Sequence, residues 1–240
     1  MKAGWFVVLA AVGSLSGQPA PNRVPVVVEL FTSEGCSSCP PADAVLSKLA
    51  QTQPVAGVQI VPLGLHVTYW DQLGWKDAAS LNEATARQQD YSRVFGEDRV
   101  YTPQAVIDGR DETVGSDEGG VVRAVTRAAK QPHVHVALSA HVQGADVIIA
   151  NAAISEVPPD VKEKLRTLYV ITEDGLTSIV KRGENGGRTL HHDAVVRRIS
   201  TSGELARIPA DWHRDRLHVI ALVQGEKSQR IVGAATVTVQ

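Results

Sequence analysis

The chain has two cysteines, and they form one motif, Cys36-Ser37-Ser38-Cys39. Two sulfurs at this spacing can exchange with a disulfide, bond to each other, or ligate a soft metal ion. The thiolate is the reactive form, so the surroundings decide the chemistry. Before the motif, Val26 to Phe31 is mostly apolar and suits a strand covered on both faces. After it, Val45, Leu46 and Leu49 recur at helical spacing. The sulfurs therefore stand at the mouth of a helix, near unpaired N–H groups and the positive end of its dipole. Pro40 and Pro41 each disfavour helix in the preceding residue, which puts the regular helix start at one of them rather than at Cys36. Cys36, first in the loop, is expected to face solvent as the nucleophile. Cys39 is expected to face inward and to resolve a mixed disulfide.

Length and charge limit the remaining functions. The 240 residues carry a formal net charge of −2, with no basic run and no aromatic-rich basic patch. Nucleic acid is therefore not an expected partner. Lys2 precedes an apolar run from Trp5 to Val12, and small residues lead to Gly17. This is a secretory leader pattern, with cleavage expected between Gly17 and Asn22. The run falls short of the about 20 apolar residues a spanning helix needs, so no stable membrane span is expected after cleavage. A periplasmic or secreted location makes a disulfide durable. A Cys36–Cys39 bond, however, closes a very small loop and constrains little of the unfolded chain. Reactivity or metal binding explains the pair better than stapling does.

The elements that must hold the motif follow in order. Val58 to Val67 reads as a second buried strand, which completes a βαβ unit with parallel strands. Thr68 to Asp77 is a loop carrying Tyr69, Trp70 and Trp75. Ser80 and Glu83 match a capping box for a helix that runs to Phe95 and stops at Gly96. Thr102-Pro103 opens a strand that ends at the Asp108-Gly109 turn, and Thr113 to Gly115 pairs back on it. Asp117 to Lys130 is a helix. Beyond Pro132 the pattern becomes all-strand: His133 to Val142, Val147 to Ile154, Arg166 to Thr172, Ser178 to Arg182, His191 to Ile199, Leu217 to Gln224 and Arg230 to Val239. His133, His135 and His141 share a face and read as a solvent-facing row. His191 and His192 are adjacent and point to opposite faces, so at most one serves a site. Gly183 to Arg188 fits either a binding loop or a glycine-rich hairpin, with the hairpin slightly favoured.

The order strand, Cys-x-x-Cys helix, strand, helical insert, Thr-Pro strand, hairpin strand, helix resembles the thioredoxin fold over about residues 24–130. That resemblance implies a cis Thr102–Pro103 bond with Pro103 lying against the cysteines. It also puts Glu29 near the place of a buried acid behind Cys39. More closely, the stretches Glu29 to Asp43, His66 to Asp71 and Gly183 to His191 resemble a family of secreted bacterial thioredoxin-like proteins labelled domain of unknown function 1223. The resemblance implies the fold and brings no established substrate or activity.

The expected architecture is α/β plus all-β. Residues 1–22 form the leader, 23–131 a thioredoxin-like domain with a helical insert, and 132–240 a β-sandwich-like domain. A piece ending near Gln131 is expected to keep its own fold. The expected function is extracytoplasmic thiol–disulfide exchange with a protein or small-molecule disulfide, with no cofactor and a redox partner to reset the pair. Cys36, Cys39, Pro103 and Glu29 are the expected catalytic residues. Thr102, Trp70 and Tyr69 are the expected client contacts. Two alternatives stay open: a copper or zinc protein using Cys36, Cys39 and His66, and a non-catalytic secreted binding module.

Overall fold

The computed structural model describes residues 23–144 and 146–239. The expected leader and its cleavage site lie outside them. Val24–Thr32 (β1) leads through the cysteine loop into Pro40–Thr52 (α1) and then Val58–His66 (β2). A single 3-10 turn and a loop lead to Asn82–Phe95 (α2). Gln104–Ile107 (β3), Asp111–Val114 (β4) and Glu118–Ala128 (α3) complete this half. The rest is strand: His135–Gln143 (β5), Val147–Ser155 (β6), Leu165–Glu173 (β7), Leu176–Ile179 (β8), Thr189–His192 (β9), Val195–Ser200 (β10), Glu204–Arg207 (β11), Leu217–Gly225 (β12) and Ile231–Thr238 (β13).

These elements make a mixed α/β structure. Its large sheet has eight strands in the order β13-β12-β7-β10-β2-β1-β3-β4, beside a three-stranded sheet β11-β6-β5 and a β8–β9 hairpin. The parallel pair β1–β2 runs in register from Val24 opposite Val58 to Thr32 opposite His66. Both strands thus end at the same level, and the cysteine loop leaves from that end.

β1 is apolar on both faces because both are covered. Val26, Val28 and Leu30 pack with Leu46 and Leu49 of α1 and Ala124 and Val125 of α3. Val27 and Phe31 face Ala84 and Tyr91 of α2, together with Leu168, Ile220 and Leu222 from β7 and β12. The three-stranded sheet lies across β7 and β12 through Ile148, Ala150, Leu205, Ile171 and Val219.

The expected boundary near Gln131 falls in the connection between α3 and β5, but the large sheet runs straight through it. β10 adds to the free side of β2, parallel to it, at Val195 opposite Gly64. Gly64 N–H donates to Ala194 O at 2.8 Å. One core is therefore built from both halves. Two local expectations also change. Ser80 does not cap α2, because its hydroxyl donates to Asp71 at 2.8 Å and the helix starts after Leu81. The expected strand from His191 to Ile199 is two strands, separated where Ala194 takes φ 53°.

Candidate functional site

Cys36 and Cys39 are joined in a disulfide, with Cα atoms 5.4 Å apart. Cys39 is the residue before α1, and Pro40 opens the helix, where a missing N–H costs nothing. The bond stands at the carboxyl ends of the parallel strands, where open α/β sheets commonly place ligand and reaction sites. Thr32 closes β1 and His66 closes β2, and both side chains point toward α1. Thr32 Oγ1 donates to Asp43 in the first turn of α1 at 2.8 Å.

Around the disulfide lies a cluster of buried ionisable side chains: Glu34, Asp43, His66, Asp77 and His192. Asp77 organises it. One carboxylate oxygen takes the Glu34 backbone N–H at 2.9 Å and meets His66 Nδ1 at 2.7 Å, while the other accepts from Ala79 N–H. Burial works against a charge on His66, but Asp77, then Asp43 and Glu34, outweigh it and raise the imidazole to about 9. Burial also opposes the Asp77 charge, yet His66 and the backbone donors bring that carboxyl down to about 2. The two form a buried ion pair. Burial pushes Asp43 up to about 6, against the pull of His66 and Thr32. Glu34 is also raised, by burial and then by Asp77, although Trp75 Nε1 donates to it at 2.6 Å and Ser178 Oγ at 3.0 Å.

His192 completes the cluster. Its ring meets the His66 ring edge-on, with centroids 4.9 Å apart. Its two nitrogens lie 3.7 Å from Glu34 and 3.7 Å from Asp43, and neither has a hydrogen-bond partner. Burial and the His66 cation lower it to about 3, so it is neutral. The same ring lines a cleft of about 460 Å³ between α1 and β9. His191 beside it is exposed, as the alternation of a strand requires.

The other expected residues fall into two groups. Thr102 reaches the sulfurs: its hydroxyl donates to Cys36 Sγ at 3.4 Å and accepts from Trp70 Nε1 at 2.8 Å. The Thr102–Pro103 bond is cis, and Pro103 is buried. Tyr69 instead braces the approach to β3. It donates to Gln88, whose amide holds Tyr101 O at 2.7 Å and Gln104 at 2.9 Å. Glu29 does not stand behind Cys39. It points to the opposite face of β1 and binds Arg87 of α2 through both carboxylate oxygens, and Tyr91 OH donates to it at 2.5 Å. Gln224 of β12 joins through Arg87 and Tyr91, so Glu29 ties α2 to the sheet. For the metal alternative, the sulfurs are bonded to each other and His66 is engaged by Asp77. Among the described residues no group of three or more His, Cys, Asp or Glu side chains is placed to hold a metal ion.

Cys36 is not the exposed sulfur: both cysteines are 0% exposed. Thr102 and Ser38 stand on Cys36 Sγ itself, and a segment about 150 residues away in sequence packs on the backbone of the cysteine loop. The loop of the β8–β9 hairpin lies over the cysteine loop. The side-chain amide of Asn185 donates to Glu34 O and to Cys36 O, each at 2.9 Å. Glu184 accepts the Ser37 N–H at 3.0 Å. Gly183 lies against Gly74 and Trp75, at φ 79°, where a side chain would strain the backbone. Asp77, Asn185 and Ser178 carry no motif of their own in the sequence, and alternation alone does not say which of His191 and His192 faces the site. The dense Gly183 to Arg188 loop is the legible signal for Asn185, as a binding loop rather than the slightly favoured hairpin.

A family model described as "Protein of unknown function (DUF1223)" matches residues 27–237. A crystal structure of a protein from Agrobacterium tumefaciens is similar at 29% identity and TM-score 0.65, covering 91% of this chain and 96% of that one. HBP35 of Porphyromonas gingivalis is similar in fold at 15% identity and TM-score 0.61, covering 90% of this chain and 76% of that one. No curated protein matches. No helix of the described residues is long and apolar enough to cross a membrane.

Proposed function

The chain belongs to the DUF1223 family, and on the geometry of its site we propose that it is an extracytoplasmic thiol–disulfide oxidoreductase exchanging through Cys36 and Cys39. One observation carries this reading. The disulfide lies at the start of α1 with a hydroxyl on its first sulfur, at the end of the sheet where five buried ionisable side chains gather. A pair kept only for stability gains nothing from five buried titratable neighbours, since each costs desolvation. The order β2-β1-β3-β4, with α1 after β1 and α3 after β4, supports a thioredoxin-like reading of the first half. The β11-β6-β5 sheet against β7 and β12 supports a sandwich-like reading of the second. The leader pattern supports export.

The chemistry runs as follows for the oxidised chain and a client dithiol. A client thiolate bonds to Cys36 Sγ, and the Cys36–Cys39 bond breaks with its electron pair on Cys39. The second client thiolate then bonds to the first client sulfur and releases Cys36 as thiolate. The client leaves as a disulfide, the protein holds two more electrons, and the two client protons pass to the two sulfurs. The reverse sequence reduces a client disulfide. Thr102 stabilises charge on Cys36 by donating to it. The neighbouring His66–Asp77 pair is locked, whereas Asp43 at about 6 can hold or release a proton near neutrality. Because both sulfurs are covered, a client reaches them only when the β8–β9 hairpin loop moves.

The test uses the mature chain. Reduced protein should reduce insulin, and Cys36→Ser and Cys39→Ser should each abolish turnover. Cys39→Ser should accumulate a mixed disulfide on Cys36. Reduced protein that leaves both insulin and glutathione disulfide untouched would sink the proposal.

A further inference from the structure

Two turns meet at the far end of β1 from the disulfide. The β3–β4 turn, Asp108-Gly109-Arg110, is held to the β12–β13 turn by Ile231 N–H donating to Asp108 O at 2.8 Å. Glycine is required for the approach. Gly109 takes φ +60°, and a Cβ there would lie 2.3 Å from Gln229 O and 3.0 Å from the Tyr91 ring. This contact brings Arg110 and Arg230 side by side.

Like charges are costly neighbours, yet among the described residues neither of these arginines forms an ion pair. Arg110 Nε is buried without a hydrogen-bond partner. Burial and then Arg230 push its guanidinium below its ordinary value, while Asp108, Asp111 and Asp160 act in the other direction. Arg127 of α3 faces the same space and is held by Asp111 at 3.1 Å. Together they line a cleft of about 320 Å³ with Ala128 and Gln131. Its walls carry three guanidiniums and the Asp111 carboxylate, while Asp108 and Asp160 act on Arg110 and Glu163 acts on Arg230 from around it.

We propose that this cleft is a binding site for a tetrahedral oxyanion of the phosphate or sulfate class. Guanidinium forks match oxyanion geometry with paired N–H donors. A bound oxyanion would give Arg110 Nε a partner and relieve its repulsion with Arg230. The anion can be free phosphate or the ester group of a larger molecule, which the cleft is large enough to admit. The site does not depend on the disulfide or on the redox reading.

Thermal unfolding of the whole chain at fixed ionic strength tests it, with inorganic phosphate, inorganic sulfate, glycerol 3-phosphate and acetate as probes. Phosphate and sulfate should raise Tm progressively, and acetate should not. Tighter binding of glycerol 3-phosphate would identify an ester as the preferred source, and equal binding would identify the free ion. Arg230→Gln and Arg110→Gln should each weaken phosphate at least tenfold. Arg230 is exposed, so its variant folds and decides the matter if Arg110→Gln does not. The proposal is overturned if phosphate does no more than chloride at equal ionic strength, or if Arg230→Gln keeps the parent response.

Discussion

Removing the side chain of Asn185 should make the disulfide far easier to reduce. Its amide donates to Glu34 O and Cys36 O at 2.9 Å each, and Asn185 is 0% exposed. Each hydrogen bond contributes about 1 kcal/mol net, and a buried acceptor left without a donor adds a further desolvation cost. Asn185→Ala should therefore weaken the closed hairpin by about 2–3 kcal/mol relative to the open one. At about 1.4 kcal/mol per decade, the open fraction rises roughly 30- to 140-fold. If opening and closing are fast compared with attack, the rate follows that fraction. Dithiothreitol reduction, followed by quenching with an alkylating agent and mass analysis, should then be faster by the same factor. The denaturant dependence of the rate separates local opening from global unfolding. Hairpin opening exposes little surface and should give a shallow slope, whereas reduction through the unfolded chain gives the full equilibrium slope. Glu184→Gln, which alters one exposed contact to Ser37, should have a much smaller effect. A folded Asn185→Ala protein reduced within twofold of the parent rate would refute the hairpin as the barrier.

Three further outcomes are expected. The His66–Asp77 pair gives stability a pH window. His66 at about 9 lies above its ordinary 6.5, so its contribution is full below 6.5 and is lost as pH rises through 9. Asp77 at about 2 lies below its ordinary 3.8, so its contribution is full above 3.8 and is lost as pH falls through 2. Asp43, raised to about 6, costs stability as pH climbs from 3.8 through 6 and tilts the window downward. Tm against pH should show this shape, and Asp77→Asn should remove both outer limbs. Glu29→Ala strands the buried Arg87 cation and should cost about 3–5 kcal/mol in urea unfolding. Insulin reduction by the folded fraction should stay within twofold of the parent, and a loss of turnover without loss of stability would restore Glu29 to the chemistry. A chain truncated after Gln131 should fail to fold cooperatively, because it uncovers one side of β2 and the α2 face of the core. A soluble piece with a sharp melting transition would show that the first half stands alone.

The parts of this protein legible in the sequence are those set by neighbours along the chain. Apolar runs marked β1 and β2, and the prolines narrowed the start of α1 to Pro40 or Pro41, of which it is Pro40. Gly96 ended α2, and Thr102-Pro103 announced β3. Alternation and turn residues located most strands beyond Gln131, although β11, a four-residue strand, gave too short a pattern to stand out. Periodicity also put His192 and His191 on opposite faces. It did not say which face mattered, and the same gap misplaced Glu29. Both faces of β1 are apolar, so alternation there carries no sign of which side receives α1 and which receives α2. Tertiary structure alone decided that β10 continues the sheet beyond β2, because strand pairing is written in backbone groups that every residue shares. It alone set the fate of the sulfurs as well. A cysteine at a helix start reads as exposed until something covers it, and here Thr102 stands on Cys36 Sγ from 66 residues downstream while Asn185 holds the backbone of the cysteine loop from about 150. The buried ion pair of His66 with Asp77 arises likewise only when a strand end and a loop are folded together out of water, which turns an ordinary histidine and aspartate into a fixed charge pair beside a disulfide.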